Sequence, residues 1–337
     1  MRIAIVNDMP LAVETLRRAL SLEPDFTIAW VATDGAQAVA HCARDRPDVI
    51  LMDLIMPEMG GAEATRRIMA DTPCAIVIVT SDMTRNTSGV FEAMGHGALD
   101  AVDTPVLGGA DPRAAAQPLL RKIRNIGWLI GRYGKTRPAL APVAATAASP
   151  GSQRMVVIGA SAGGPPSLAK LLSALPVTFP AAVVLVQHVD AIFAAGMASW
   201  LNDQVALPVR LAANGEIPAA GEVLLAGTDD HLVMQEDGRL AYTREPRESL
   251  YRPSIDVFFH SVARHWRGSV VGVLLTGMGQ DGAQGLKALR DRGCLTIAQD
   301  QATSAVYGMP KAAAAMGAAK EIKPLETIAP RLVQAFA

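Results

Sequence analysis

Twice along this chain, short β-branched runs alternate with helix-patterned segments, and that alternation leaves few folds open. In the first series RIAIVN, FTIAWVA, DVILMD, CAIVIVT and ALDAV are separated by PLAVETLRRAL, GAQAVAHCARD, GGAEATRRIMA and RNTSGVFEAMG, and DPRAAAQPLLRKIRNIGWLIGR closes it. Near-continuous apolar strands between amphipathic helices predict an α/β, doubly wound parallel sheet with right-handed crossovers. The tract KTRPALAPVAATAASPGSQ, rich in Pro, Ala, Ser and Thr, then reads as a linker. A second α/β series follows: MVVIGASAGG, PSLAKLLSAL, AAVVLVQH, then SIDVFFHSVARHW, SVVGVLLTG, DGAQGLKALRDRG and CLTIAQ. Between its halves PVRLAA, EVLLAG, HLVMQ and RLAYT alternate with the turns NGE, GTDD and EDGR, which predicts an antiparallel hairpin insert. The boundaries are set at residues 1–130, 131–152 for the linker, and 153–337, and a length of 337 residues suits two domains of about 100–200 residues each.

Composition narrows the function. Lys plus Arg number 31 against 32 Asp plus Glu, a net charge of −1, with no basic stripe interleaved with aromatics, so no nucleic-acid partner is expected. The opening MRIAIVNDMP does not read as a signal peptide, and every apolar run is shorter than the roughly 20 residues of a membrane span. A cytoplasmic protein without membrane insertion is the expectation. Cys42, Cys74 and Cys294 are far apart in sequence and lie in apolar segments, which reads as core packing rather than a disulfide or zinc framework.

In an open α/β sheet functional groups collect at the carboxyl ends of strands. In the first series those ends carry Asn7 and Asp8, Asp53, Thr80, and Asp103 with Thr104. Any single Asp there is more often a loop or helix cap. The set together suits a hard cation: Asp8 and Asp53 as ligands for Mg²⁺, with the Thr80 hydroxyl available to a phosphoryl group carried by Asp53.

In the second series Ser161 sits in a Gly-x-Ser-x-Gly turn between strand and helix, where a hydroxyl is presented and backbone N–H groups can bind an oxyanion. The same outline serves dinucleotides, but Ser161 replaces the middle glycine of that fingerprint and the next strand ends in His188 rather than an acidic residue. His188 is placed as general base, and Asp281, in the Gly-rich turn after SVVGVLLTG, as the carboxylate that orients it. Asp281 taken alone reads equally well as a helix N-cap. Tyr251 and Arg252 are candidates for the cleft wall, while His41, His96, His231, His260 and His265 share no metal-ligand spacing and read as surface or packing residues.

The first series resembles the receiver domain of two-component response regulators, a flavodoxin-like fold. GASAGGP, VQH, YRPSIDVFF and LLTGMGQDGA, in that order, resemble the catalytic domain of chemotaxis-type response regulator protein-glutamate methylesterases. VNDMPLAVETLRR and GALDAVDTP are closer to the methylesterases of Wsp-type surface-sensing systems. The resemblance implies hydrolysis of γ-glutamyl methyl esters on methyl-accepting chemoreceptors, often with glutamine deamidation. It implies the triad Ser161, His188 and Asp281, the Met278 backbone N–H in the oxyanion hole, and no cofactor for hydrolysis. On the receiver it implies phosphorylation of Asp53 by a chemotaxis-type histidine kinase, Asp8 as metal ligand and Thr80 as switch hydroxyl. With the domain order, it also raises the expectation that the receiver restrains the catalytic cleft until phosphorylated. Two departures stand out: Asn7 where receivers usually carry an acid, and Thr104 where they carry a Lys. The competing readings are a catalytically weak, phospho-regulated adaptor that binds receptors, and a nucleotide-dependent oxidoreductase.

Overall fold

The structure, a computed structural model, describes residues 1–81, 86–108, 111–129, 151–249 and 251–337. The chain divides into two compact units, Met1–Arg137 and Pro138–Ala337. The expected linker lies outside the described residues up to residue 150, and the first strand of the second unit already begins at Gly151. No described helix is long and apolar enough to cross a membrane.

The first unit runs β1 (Arg2–Val6), α1 (Pro10–Ser21), β2 (Thr27–Ala32), α2 (Gly35–Arg44), β3 (Val49–Met52), α3 (Gly61–Asp71), β4 (Ala75–Thr80), α4 (Thr87–Gly95), β5 (Asp100–Asp103) and α5 (Pro112–Leu129). Its sheet has the order β2-β1-β3-β4-β5, parallel throughout. Every residue of β3 and β4 is buried, as a strand must be when helices cover both faces of its sheet. The chain leaves β1 for β2 on one side and returns to β3 on the other, so the crevice at the carboxyl ends of β1 and β3 is the natural site. Cys42 on α2 and Cys74 before β4, distant in sequence, lie with their Sγ atoms 3.8 Å apart as free thiols.

The second unit contains β6 (Gly151–Ala160), α6 (Gly164–Ser173), β7 (Ala182–Gln187), α7 (Ala191–Gln204), β8 (Val209–Leu211), β9 (Val223–Leu225), β10 (His231–Met234), β11 (Leu240–Thr243), α8 (Ile255–His265), β12 (Gly268–Leu274), α9 (Ala283–Asp291), β13 (Leu295–Gln299), α10 (Met309–Ala315), β14 (Glu321–Lys323) and α11 (Leu325–Phe336). Seven strands form a parallel sheet of order β14-β13-β12-β6-β7-β9-β8. Strand order reverses about β6, which lies between β7 and β12.

The antiparallel insert is present but smaller than the sequence suggests. Among the described residues only β10 and β11 pair that way, Leu232 opposite Tyr242 and Met234 opposite Leu240. PVRLAA and EVLLAG supply β8 and β9, which extend the main sheet in parallel from β7. Val223, Leu224 and Leu225 are all buried, the continuous apolar signature of a covered parallel strand, and a three-residue run is too short to show it as such. The helix α7 and the closing α10, β14 and α11 extend the alternation beyond what the sequence pattern picks out.

The core of the second unit centres on Phe258, Phe259 and Trp266 of the α8 region, packed with Leu274, Leu286 and Leu289. Helices α8 and α9 meet closely, since a Cβ on Gly285 would stand 2.5 Å from the Phe259 Cβ. Phe259→Ala should lower the stability of this unit by about 3–5 kcal/mol in urea unfolding. A loss under about 1 kcal/mol would mean that the α8–α9 contact is not as tight as described.

Candidate active site

The chain reaches the site of the second unit at three strand ends. After β6, Ser161 occupies a sharp turn: its N–H donates to the Thr276 carbonyl at 3.1 Å, and its own carbonyl accepts from Gly164 N–H at 2.7 Å and Gln187 Nε2 at 2.9 Å. Gly163, at φ 73°, takes the left-handed conformation that lets α6 start immediately, so the Ser161 side chain is left at the sheet edge. Thr276 is buried beneath the turn, its Oγ1 3.0 Å from the Ala162 carbonyl.

His188 follows β7, in register beside Ser161 because Ala160 pairs with Gln187. Its Nδ1 lies 3.1 Å from Ser161 Oγ and its Nε2 lies 2.8 Å from Asp281 Oδ2. Asp281, from the turn between β12 and α9, is 3% exposed. Its carboxylate does not cap α9, the helix it precedes, but faces the start of α8. Oδ2 accepts from Ile255 N–H at 2.7 Å, and Oδ1 accepts from the Ser254 hydroxyl at 2.8 Å and Asp256 N–H at 3.2 Å. Asp256 returns the arrangement, its Oδ1 accepting from Gly285 N–H of α9 at 2.8 Å.

Burial alone would raise the Asp281 carboxyl, but His188, the Ile255 N–H and the Ser254 hydroxyl outweigh it and hold the group below the usual carboxylate range. An ionised Asp281 only accepts, so His188 Nε2 carries the proton and Nδ1 turns its lone pair to Ser161. The arrangement is that of a nucleophile, a base and an orienting carboxylate.

Three neighbours have roles that the sequence does not show, Tyr251 among them, which it offers only as a candidate for the cleft wall. Ser254 is both the N-cap of α8 and a donor to Asp281. Ser254 N–H in turn donates to Nδ1 of the fully buried His231, whose Nε2 is 3.2 Å from the Pro246 carbonyl. His231, read from sequence as surface or packing, is a buried strut, and burial lowers its pKa. Tyr251 stacks on His188 with ring centroids 4.4 Å apart. The S/T-then-helix pattern at SIDVFF was the one available signal, and it marks a cap rather than a site. Met278 follows Gly277, at which a Cβ would stand 2.8 Å from the Ser161 Cβ, so its backbone N–H belongs to the turn against the nucleophile.

In the first unit Asp53 follows β3 and is half-buried, while Asp8 beyond β1 is exposed. Burial pushes the Asp53 carboxyl up to about 6, and the Asp8 charge adds to it, against the lowering effect of the Leu54 and Ile55 N–H groups. Asn7 is buried between them: its Nδ2 donates to Asp53 Oδ2 at 2.9 Å and its Oδ1 accepts from Met9 N–H at 2.8 Å. Asn7 thus gives Asp53 a donor where a receiver usually has a third acid. Thr80 ends β4, buried, with Asn86 Nδ2 donating to its Oγ1 at 3.1 Å. Lys122, the one Lys among residues 1–130, pairs with Asp100 at the amino end of β5, the edge opposite Asp53. Two carboxylates, Asp8 and Asp53, at one strand-end crevice offer the oxygen ligands that a hard dication takes.

Both units are similar to known proteins. A family model described as CheB methylesterase matches residues 156–332, and one described as response regulator receiver domain matches residues 3–108. The chain is 69% identical over 337 residues to a Bordetella avium protein named protein-glutamate methylesterase/protein-glutamine glutaminase 1, covering 100% of this chain and 98% of that one. It is 65% identical to a Pseudomonas aeruginosa protein of the same name numbered 3, each covered in full. The crystal structure of the Thermotoga maritima CheB methylesterase catalytic domain superposes with a TM-score of 0.53 at 34% identity, covering 55% of this chain and 99% of that domain. The protein is a two-domain α/β hydrolase with a receiver. More particularly, it belongs to the CheB methylesterase family.

Gly159, at the end of β6, allows α8 to approach: a Cβ there would lie 2.3 Å from Ile255 Cγ2. Gly159→Ala should displace the α8 start that holds Asp281, lowering esterase turnover about 10-fold or more and stability by about 1–3 kcal/mol. Unchanged turnover and melting would contradict the close approach.

Proposed function

We propose that this chain is a protein-glutamate methylesterase under phosphorylation control, acting on γ-glutamyl methyl esters of methyl-accepting chemoreceptors in the cytoplasm. The single observation that carries the chemistry is the hydrogen-bonded line from Ser161 through His188 to Asp281. Ser161 Oγ attacks the ester carbonyl while His188 Nδ1 takes its proton. Asp281 stabilises the resulting imidazolium through Nε2. The Met278 N–H would face the developing oxyanion. Collapse of the tetrahedral intermediate expels methanol, protonated by His188, and water then enters by the same route to free the glutamate. A glutamine side chain would follow the same course with ammonia as leaving group, in keeping with the double name of the relatives. The site uses protein groups and water alone.

Regulation falls to the receiver. Asp53 would accept a phosphoryl group from a chemotaxis-type histidine kinase, with Asp8 and Asp53 holding Mg²⁺. The ion would supply charge neutralisation for the transfer. Thr80, already fixed by Asn86, would offer its hydroxyl to the phosphoryl oxygens. The intact, buried orientation of Asp281 argues against the adaptor reading, in which nothing would keep three groups in catalytic register.

Methanol release from a methylated receptor cytoplasmic fragment should fall by roughly 10⁴-fold or more in Ser161→Ala. Undiminished release would exclude Ser161 as nucleophile. A small phosphodonor with Mg²⁺ should stimulate the wild type and leave Asp53→Asn at its basal rate. Equal stimulation of both would show that Asp53 is not the acceptor.

A further inference from the structure

We propose that Tyr251 is a positioning residue for this hydrolysis: its ring, lying face to face on His188, fixes the imidazole plane and stabilises the imidazolium formed during acyl transfer. The inference rests on the triad reading and deepens it.

The geometry is specific. The two ring centroids are 4.4 Å apart and the planes differ by 5°. His188 is held in its own plane by hydrogen bonds at Nδ1 and Nε2, to Ser161 and Asp281. Both bonds survive if the ring tips about the line joining those partners. A flat neighbour on one face removes that freedom, and Tyr251 is that neighbour.

Tyr251 is held at its backbone and lies close to a second turn at its hydroxyl end. Its carbonyl accepts from Ser249 Oγ at 3.0 Å. At its far end, a Cβ on Gly279 would stand 2.8 Å from the Tyr251 hydroxyl oxygen, so the ring reaches from the base to the turn that carries Met278. Three residues further on, Ser254 donates to Asp281. One short segment therefore holds the carboxylate and covers the imidazole, setting two members of the triad with one backbone path.

The face of an aromatic ring carries negative potential and attracts a cation placed over it. His188 becomes cationic only as Ser161 yields its proton. The contact therefore strengthens toward the transition state, and its loss should appear in kcat rather than KM.

The test uses the full-length protein with Mg²⁺ and a small phosphodonor, a methylated receptor cytoplasmic fragment as substrate, and the variants Tyr251→Phe and Tyr251→Leu beside Ser161→Ala. Phe should keep kcat within about two-fold of wild type. Leu should lower kcat about ten-fold, equivalent to about 1.4 kcal/mol, with KM within about two-fold. In ¹³C-histidine-labelled protein the His188 ring C–H signals should be shifted upfield in wild type and Tyr251→Phe and move downfield in Tyr251→Leu. A Leu variant with normal kcat and raised KM would make Tyr251 a substrate wall and overturn the proposal, as would a Phe variant as impaired as Leu. Ring signals unmoved by Leu would remove the stack itself. Ser161→Ala retaining full activity would instead sink the triad reading, while the ring signals would still report on the stack.

Discussion

The site of the second unit depends on a buried carboxylate placed at the start of a helix that is not its own. Asp281 accepts from the Ser254 hydroxyl and from the Ile255 and Asp256 N–H groups, donors that the first turn of α8 cannot satisfy internally. The positive end of the α8 dipole adds to them. An ionised carboxylate with this burial would be costly without such partners, and with them it stays charged in a dry site. The proton on His188 Nε2 and the lone pair on Nδ1 follow from it, and under the proposed mechanism so does the direction in which Ser161 loses its proton. The fold pays attention to this contact elsewhere too, since Gly159 has no side chain where Ile255 presses in and Asp256 ties the same helix to α9.

Both units place their chemistry at the same topological point. In the first, β1 and β3 are the strands at which the sheet order turns, and Asn7, Asp8 and Asp53 lie just beyond them. In the second, β6, β7 and β12 surround the turning point and deliver Ser161, His188 and Asp281. The electrostatic designs differ. Asp281 is surrounded by donors and stays ionised. Asp53 also has donors, the Asn7 Nδ2 and the Leu54 and Ile55 N–H groups, but burial, with the nearby Asp8, outweighs them and raises it to about 6. The receiver also departs from the usual pattern, with Asn7 donating to Asp53 and its one Lys engaged at the opposite edge.

The strand-end residues were legible in sequence because a near-continuous apolar run ending in a polar residue announces both the strand and its carboxyl end. Ser161, His188, Asp53 and Thr80 each end such a run, and Asp281 lies in the Gly-rich turn that follows one. The roles of Ser254, His231 and Tyr251, the last a cleft-wall candidate only, were not, because they arise from contacts 23 to 63 residues away: Ser254 with Asp281 across 27, His231 with Ser254 across 23, Tyr251 with His188 across 63. No local period encodes such pairs. The short strands β8 and β9 show the same limit from another side, since a three-residue strand reads alike in a hairpin and in a parallel sheet. Asp281 also illustrates how a locally sensible cap reading misses its target: the residue does bind a helix start, but that of α8 rather than α9.

The central claim is that Asp281, held by α8, keeps the His188 proton on Nε2 and leaves Nδ1 to Ser161. Long-range ¹H–¹⁵N correlation spectra of histidine-labelled protein, at a pH where His188 is neutral, report the tautomer directly. The account predicts a protonated Nε2 and a bare Nδ1 in the wild type, with that preference weakened in Asp281→Asn. A wild-type His188 with its proton on Nδ1 would contradict it.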